Sequence, residues 1–126
     1  MQPSTMSAYQ CSFFESPDRP RIVCLCGSTR FTGAFREANL QETLKGKIVL
    51  SVGCDSKSDV ELRIRPEEKA MLDTLHLRKI DLADEVMILN VGGYIGESTR
   101  RELDYARSLG KPIYWLEPGA SECKTT

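Results

Sequence analysis

The chain has 126 residues, of which 40% are apolar and 28% charged, and its formal net charge is -1. These values are ordinary for one globular domain, and the small charge gives no electrostatic reason to expect nucleic acid or an acidic membrane as a partner. No apolar run approaches the roughly 20 residues that span a bilayer, and the N-terminus lacks a basic-then-apolar signal pattern. We therefore expect a cytoplasmic protein.

The first half of the chain begins with a predicted flexible tail over residues 1–19. A continuous β-branched run over 21–26 predicts a strand buried on both faces. Apolar residues spaced by three and four predict a helix over 31–44, which ends at Gly46. Residues 47–52 predict the second strand. The inward-facing residues of this helix are predicted to be Phe31, Ala34, Phe35, Ala38 and Leu44.

The five cysteines are an odd number and too sparse for a secreted disulfide scaffold. Cys24 and Cys26 alternate with Leu25 on the first predicted strand. Because this pair has no second cysteine pair and only one histidine to join it, no metal site is predicted. Both cysteines are interpreted as small residues on the strand face opposite to Leu25.

The second half begins with a polar connection over 53–65, which is long for an α/β loop and typical of a functional segment. Pro66, followed by two glutamates, predicts the start of a helix that runs to about Leu82. Residues 84–90 predict the third strand. The buried stripe of this helix is predicted to be Met71, Leu72, Leu75, Ile80 and Leu82.

A third helix is predicted to start with Ser98 or Thr99 as its cap and to end at Gly110. It would carry Leu103, Ala106 and Leu109 inward. Residues 111–116 predict the last strand, and 118–126 a frayed tail.

Alternation of four strands with three helices predicts an α/β domain over 20–117, with a parallel sheet and helices on both faces. Two glycine turns follow the first and third strands. Both fall at carboxyl ends of strands, where open parallel sheets bind their ligands. These turns are the candidate walls of a binding site.

The first turn is formed by Gly27, Ser28, Thr29 and Arg30. Glycine permits close backbone approach, the hydroxyls and N–H groups can bind an anion, and arginine matches a phosphate or carboxylate. The motif is neither a Walker loop nor a dinucleotide fingerprint. An ordinary tight turn with a helix cap is the alternative.

The second turn leads into the third helix, whose first N–H groups have no partner within the helix. Tyr94 lies in this turn and could stack on a base, although a rim aromatic is the simpler interpretation. The candidate ligand-binding residues of this turn are Gly92, Gly93, Tyr94, Gly96, Ser98 and Thr99.

Glu102 is the candidate catalytic carboxylate, with Glu97 as its rival. We expect the helix end and hydrogen bonds to hold Glu102 ionised. An ionised carboxylate beside an anomeric carbon can act as nucleophile or stabilise an oxocarbenium-like transition state. His76 is the only histidine; it is a candidate site residue, and a structural role is the alternative.

Three motifs resemble the nucleoside 2-deoxyribosyltransferase superfamily, in particular the nucleoside 5′-monophosphate N-glycosidases. They are Cys-Gly-Ser-Thr-Arg at 26–30, Lys-Ile-Asp-Leu-Ala-Asp-Glu-Val at 79–86 and Gly-Glu-Ser-Thr-Arg-Arg-Glu-Leu-Asp-Tyr-Ala at 96–106. The resemblance covers about 21–116. It implies a flavodoxin-like (Rossmann-type) sheet with strand order about 2-1-3-4, and a homodimer or larger assembly.

The resemblance also implies roles for individual residues. The catalytic glutamate of the family matches Glu102, and the residues that bind the 5′-phosphate match Ser28 and Arg30, with further backbone contacts around 96–99. No metal or organic cofactor is implied. Relatives usually carry an aspartate where this chain has His76, so either His76 replaces it, Asp73 reaches in from one turn earlier, or the chemistry differs.

The function expected from the resemblance is hydrolysis or transfer at the N-glycosidic bond of a nucleoside 5′-monophosphate or related nucleoside. A non-catalytic nucleotide-binding or sensing module on the same fold is the alternative. A structural subunit with an empty cleft is a third possibility.

Overall fold

A computed structural model describes residues 19–52 and 63–118. Most of the predicted N- and C-terminal tails and of the 53–65 connection lies outside the described residues. Four parallel strands form one sheet with the order β2-β1-β3-β4. This confirms the predicted α/β class and the strand order of a flavodoxin-like sheet. The strands are β1 (Ile22–Cys26), β2 (Ile48–Leu50), β3 (Glu85–Ile88) and β4 (Ile113–Trp115).

Three helices connect the strands: α1 (Thr32–Leu44), α2 (Pro66–Leu82) and α3 (Glu97–Ser108). Pro66 occupies the first position of α2, and the Arg65 backbone N–H donates to the Glu68 carboxylate at 3.0 Å. Gly46 and Gly110 follow the ends of α1 and α3 with φ of 87° and 72°, as helix-terminating glycines do. A short 3₁₀ turn, Val91–Gly93, follows β3.

The helices lie on both faces of the sheet. α1 packs on the face that carries Val23 and Leu25, whereas α2 and α3 pack on the face that carries Cys24 and Cys26. This division follows from right-handed crossovers, because β1 to β2 steps one way along the sheet and β2 to β3 to β4 steps the other way. The predicted orientation of the cysteines, opposite to Leu25, is confirmed. The change of direction places the topological switch point between β1 and β3.

Several apolar residues predicted to be buried are exposed. Met71, Leu75 and Leu82 face solvent on α2, and Leu44 and Leu109 are exposed at the ends of the other two helices. Of the predicted stripe, Ile80 is buried as expected and Leu72 is half-buried, and His76, which was not predicted to belong to it, is buried as well. Leu44 is the last residue of α1, and Leu109 directly follows α3. Both therefore lie at helix ends, at the margin of the core.

The predicted cap of α3 is also wrong. Gly96 precedes the helix, and neither Ser98 nor Thr99 caps it with its side chain. Thr99 is buried against the core, and the Ser98 hydroxyl accepts hydrogen bonds from Lys69 at 3.4 Å and Arg101 at 3.2 Å. Thr99 therefore packs in the core, and Ser98 contacts one residue of α2 and one of its own helix.

A charged cluster lies at the amino ends of the strands, and we call Arg21, Glu42, Lys45, Lys47 and Glu85 the amino-end network. Lys47 Nζ contacts Glu42 at 2.7 Å and Glu85 at 2.6 Å. Lys45 adds a second cation to Glu42, and Arg21 adds one to Glu85. Burial alone would raise the pKa of both carboxyls, but the paired cations lower both pKa values below the usual one.

No helix of the described ranges has the length and apolar character needed to cross a bilayer.

Candidate functional site

The turn after β1 lies tightly against the end of β3. The Leu89 N–H donates to the Cys26 carbonyl at 2.8 Å, and the Phe31 N–H donates to the Ser28 carbonyl at 3.0 Å. A Cβ atom added to Gly27 would lie 2.9 Å from the Leu89 Cβ. Glycine is therefore required here by the close approach of the two strand ends. It allows the next residues to turn into the cleft between β1 and β3.

The turn after β3 is stabilised from outside the cleft. Gly92 and Gly93 have φ of 64° and 83°, and the Gly92 N–H donates to the Glu117 carboxylate at 2.9 Å. The buried Asn90 amide oxygen accepts the Glu117 N–H at 3.0 Å. These glycines shape the turn, and they are not among the described residues that line the cavity.

A cavity of about 250 Å³ lies at the carboxyl ends of β1 and β3, between α2 and α3. This volume is slightly below the roughly 300–1,000 Å³ of drug-sized ligand sites. Most of the residues predicted as site residues meet here. The lining residues are Gly27, Ser28, Thr29, Val52, Lys69, Leu72, Asp73, Leu75, His76, Lys79, Tyr94, Gly96, Glu97, Ser98, Thr99 and Glu102.

Arg30 is not among the described lining residues of this cavity, but its side chain connects two residues that are. Its Nε donates to the Ser28 hydroxyl at 3.2 Å, and its terminal nitrogen donates to the Tyr94 hydroxyl at 3.2 Å. The guanidinium also lies 4.8 Å from the centre of the Tyr94 ring. Arg30 is exposed, so its charge is accessible to solvent beside Ser28 and Tyr94.

Glu102 is the most deeply placed carboxylate of the cavity. Its side chain is 13% exposed, and its Oε1 lies 3.9 Å from His76 Nε2. Burial raises the pKa of Glu102 to about 6, against the opposing effect of His76. The expectation that the helix end would favour ionisation is wrong, because Glu102 lies in the second turn and the helix-end effect is confined to the first. At pH 7 about nine in ten such carboxyls are still ionised.

His76 connects Glu102 to the cysteine pair of β1. Its Nε2 lies 3.6 Å from Cys24 Sγ and 3.4 Å from Cys26 Sγ, and all three side chains are buried. Burial alone would lower the pKa of His76, but the hydrogen bond to Cys24 and the charges of Cys24 and Glu102 raise it. The hydrogen bond from Cys26, together with His76, lowers the pKa of Cys24 to about 6.

Comparison with protein-family models and with curated proteins finds no match for the chain. The function of the cleft is therefore inferred from its own residues.

The α2 wall of the cavity is more polar than the sequence predicted. Lys69 Nζ contacts the Asp73 carboxylate and lies 3.4 Å from the Ser98 hydroxyl. Lys79 Nζ donates to the Ser51 carbonyl at 2.6 Å. The sequence prediction missed both lysines, although the spacing of 69, 73, 76 and 79 follows one helix face. The leucines of α2 were instead predicted to form its inward face.

Asp73 and Glu97 lie nearer the outside of the site than Glu102. Asp73 is held by Lys69 and lies 3.8 Å from Arg101. Glu97 is exposed at the first position of α3 and lines the cavity from its rim. Of these three carboxylates, Glu102 alone is placed in the interior of the cleft.

The cavity combines groups that can bind an anion with a buried carboxylate. The first N–H groups of α3 have no partner within the helix, and the hydroxyls of Ser28 and Thr29 line the same space. Lys69 also lines this wall, where its charge is paired with Asp73. Such a site suits a ligand with an anionic group at one end and an electrophilic carbon at the other.

Proposed function

We propose that the chain cleaves the N-glycosidic bond of a nucleoside 5′-monophosphate or related nucleoside, by hydrolysis or by transfer to an acceptor base. The observation that carries this proposal is the buried Glu102 carboxylate, which shares one cavity with the Ser28–Thr29 turn and the N-terminus of α3. The sequence resemblance to the N-glycosidases supports the same assignment.

In this mechanism the Glu102 carboxylate attacks C1′ of the sugar, and the C1′–N bond breaks as the base leaves with a proton taken from solvent. Burial removes water from the carboxylate while leaving it mostly ionised at neutral pH, which favours attack on an oxocarbenium-like centre. Water or a second base then displaces Glu102 from C1′. The nearby His76 favours the ionised form of the nucleophile.

The 5′-phosphate is assigned to the opposite end of the cavity. The Ser28 and Thr29 hydroxyls and the free N–H groups at the start of α3 would hold its oxygens. Arg30 adds a charge beside Ser28, and Tyr94 offers a ring on which a base can stack. No metal or organic cofactor is needed for this chemistry.

We also infer a homodimer or larger assembly and a cytoplasmic location, and both rest on the sequence alone. The expected partners are small nucleotides or nucleosides, without nucleic acid or membrane.

A non-catalytic nucleotide-binding module is the second candidate. Its support is the environment of His76, which stands at the position of an expected aspartate. The ring nitrogen of His76 faces two cysteines and Glu102. This alternative predicts saturable nucleotide binding with no release of base.

The test is a panel of ribo- and deoxyribonucleoside 5′-monophosphates, with free base followed by chromatography. We expect base release from at least one member, and a loss of at least about a thousandfold in Glu102→Gln, because the nucleophile is removed. Glu97→Gln is the matched control at the rim and should retain most activity. No release from any substrate would contradict the enzyme, and equal release by Glu102→Gln would contradict the nucleophile.

A further inference from the structure

Cys24, Cys26 and His76 present three metal-binding atoms that lie within 4.8 Å of one another. The two sulfur-to-nitrogen distances are 3.6 and 3.4 Å. In a tetrahedral zinc site with ordinary Zn–S and Zn–N bonds, the sulfur-to-nitrogen edge is about 3.5 Å. Both cysteine sulfurs therefore already lie at the distance from His76 Nε2 that a shared zinc ion requires.

Glu102 completes this arrangement from the cavity side. Its Oε1 lies 3.9 Å from His76 Nε2. The nitrogen-to-oxygen edge of a tetrahedral zinc site is about 3.4 Å, so a contraction of roughly half an ångström closes the fourth position.

The chemistry of the four donors selects the ion. Two thiolates and an imidazole are ligands for Zn²⁺ and disfavour Mg²⁺ or Ca²⁺, which take oxygen ligands. Cys24 and Cys26 are free thiols, and each is fully buried. His76 and Glu102 line the cavity, so two of the four donors are reached directly from it.

We propose that Cys24, Cys26, His76 and Glu102 form a zinc-binding site at the floor of the cleft. On binding, the protons carried by the two thiols and by His76 Nε2 are released to solvent, and zinc takes their place between the four donors. The sequence predicted no metal because the C-x-C pair lacked a second pair. The fold supplies the remaining ligands from α2 and α3.

Zinc binding would also change what the cleft can do. A Glu102 carboxylate bound to zinc is unavailable to attack C1′, so the zinc-bound chain would be inactive as a glycosidase. This consequence rests on the proposed function, whereas the metal site itself does not.

The experiment uses the full-length, metal-free, reduced protein and Co²⁺ as a spectroscopic probe for Zn²⁺. We expect one Co²⁺ per chain, with a thiolate-to-cobalt charge-transfer band and the intense visible bands of a tetrahedral ion, and displacement by Zn²⁺. Cys24→Ser and Cys26→Ser should each weaken binding at least about tenfold to a hundredfold and reduce the charge-transfer band. Absence of a thiolate band in the folded wild-type protein would overturn the proposal.

Matched controls assign the ligands. A variant with Cys11, Cys54 and Cys123 changed to serine should keep the wild-type spectrum, and its loss would move the metal to those cysteines and overturn the site. Cys24→Ala, which keeps an apolar group in the core, replaces Cys24→Ser if circular dichroism shows that the serine variant is unfolded. Glu102→Gln should bind more weakly and alter the visible bands, and an unchanged spectrum would exclude Glu102 as the fourth ligand. Because these measurements need no substrate, their failure is distinct from a failure of base release.

Discussion

At the amino ends of the strands, Glu42 and Glu85 are buried together with the cation of Lys47, and Arg21 completes the pairing of Glu85. At the carboxyl ends, Glu102 is buried beside a histidine and two cysteines, with no lysine or arginine among its described ion-pair partners. The first environment lowers the pKa of its carboxyls, and the second raises the pKa to about 6.

The two ends of the sheet thus hold buried carboxylates of different kinds. Those at the amino ends stabilise the fold, and the one at the carboxyl ends is the candidate functional group. A buried carboxylate with two cations contributes to stability once it is ionised. A buried carboxylate without them costs free energy when ionised, and a protein tolerates that cost where the group has chemical work to perform. The comparison therefore supports the choice of the carboxyl-end cleft as the candidate site.

The largest stability effect is expected at the amino end. Lys47→Met leaves two buried carboxylates with one cation each, and should lower the free energy of unfolding by about 3 kcal/mol at pH 7. The pKa of Glu42 and Glu85 is lowered by folding, so their contribution is present above about pH 4.5 and is lost as the pH falls. Urea unfolding at pH 7 and pH 4 measures both effects.

Lys45→Met is the control for this substitution. Its side chain is 59% exposed although it also contacts Glu42, so the expected loss is below about 1 kcal/mol. Equal effects of the two substitutions would contradict a special role for Lys47 in the amino-end network.

The opposite sign is expected at the carboxyl end. The Glu102 carboxyl has its pKa raised from 4.5 to about 6, so the folded state binds protons more tightly and stability is lost as the pH rises through this window. Above pH 7 the cost approaches about 2 kcal/mol. Glu102→Gln should therefore stabilise the protein by about 1 to 2 kcal/mol at pH 8 and by little at pH 4.

Thermal unfolding of Glu102→Gln beside Glu97→Gln measures this prediction. Glu97 is exposed, so its variant should match the wild type within about 0.5 kcal/mol at either pH. Destabilisation of Glu102→Gln at pH 8 would show that its carboxylate is held by favourable contacts, as at the amino end.

The smallest effect concerns Arg30, whose guanidinium contacts the hydroxyls of Ser28 and Tyr94 rather than a carboxylate. Its charge is thus available to an anionic ligand. Arg30→Gln should raise KM for a nucleoside 5′-monophosphate about tenfold, or about 1.4 kcal/mol, and leave KM for the unphosphorylated nucleoside unchanged. Equal changes for both ligands would mean that Arg30 only supports the Tyr94 ring.

The strands and helices could be predicted because each element has a clear hydrophobic period or a glycine or proline at its boundary. The strand order was expected from the family resemblance. Gly46, Pro66 and Gly110 are such boundaries, and all three stand at helix ends. The inward face of α2 could not be predicted in the same way. Polar and apolar residues alternate around this helix, and only packing on β1 decides which of them point inward.

The candidate site could likewise be predicted only in part, because some of its contacts depend on tertiary packing. The turn after β1 and the start of α3 lie at the carboxyl ends of neighbouring strands, so their meeting in one cavity follows from a parallel sheet. The contact of His76 with Cys24 and Cys26 depends on how α2 lies along β1, which no local pattern reports. The buried pairing of Glu42 with Lys47 is likewise a tertiary feature.

The most direct test of the contrast between the two ends is a pH titration of the glutamate side-chain carboxyls by carbon-13 NMR, with the Glu102 signal assigned by its loss in Glu102→Gln. Glu102 should titrate at about 6, while Glu42 and Glu85 titrate below the usual 4.5. A Glu102 signal that titrates at or below 4.5 would contradict the account.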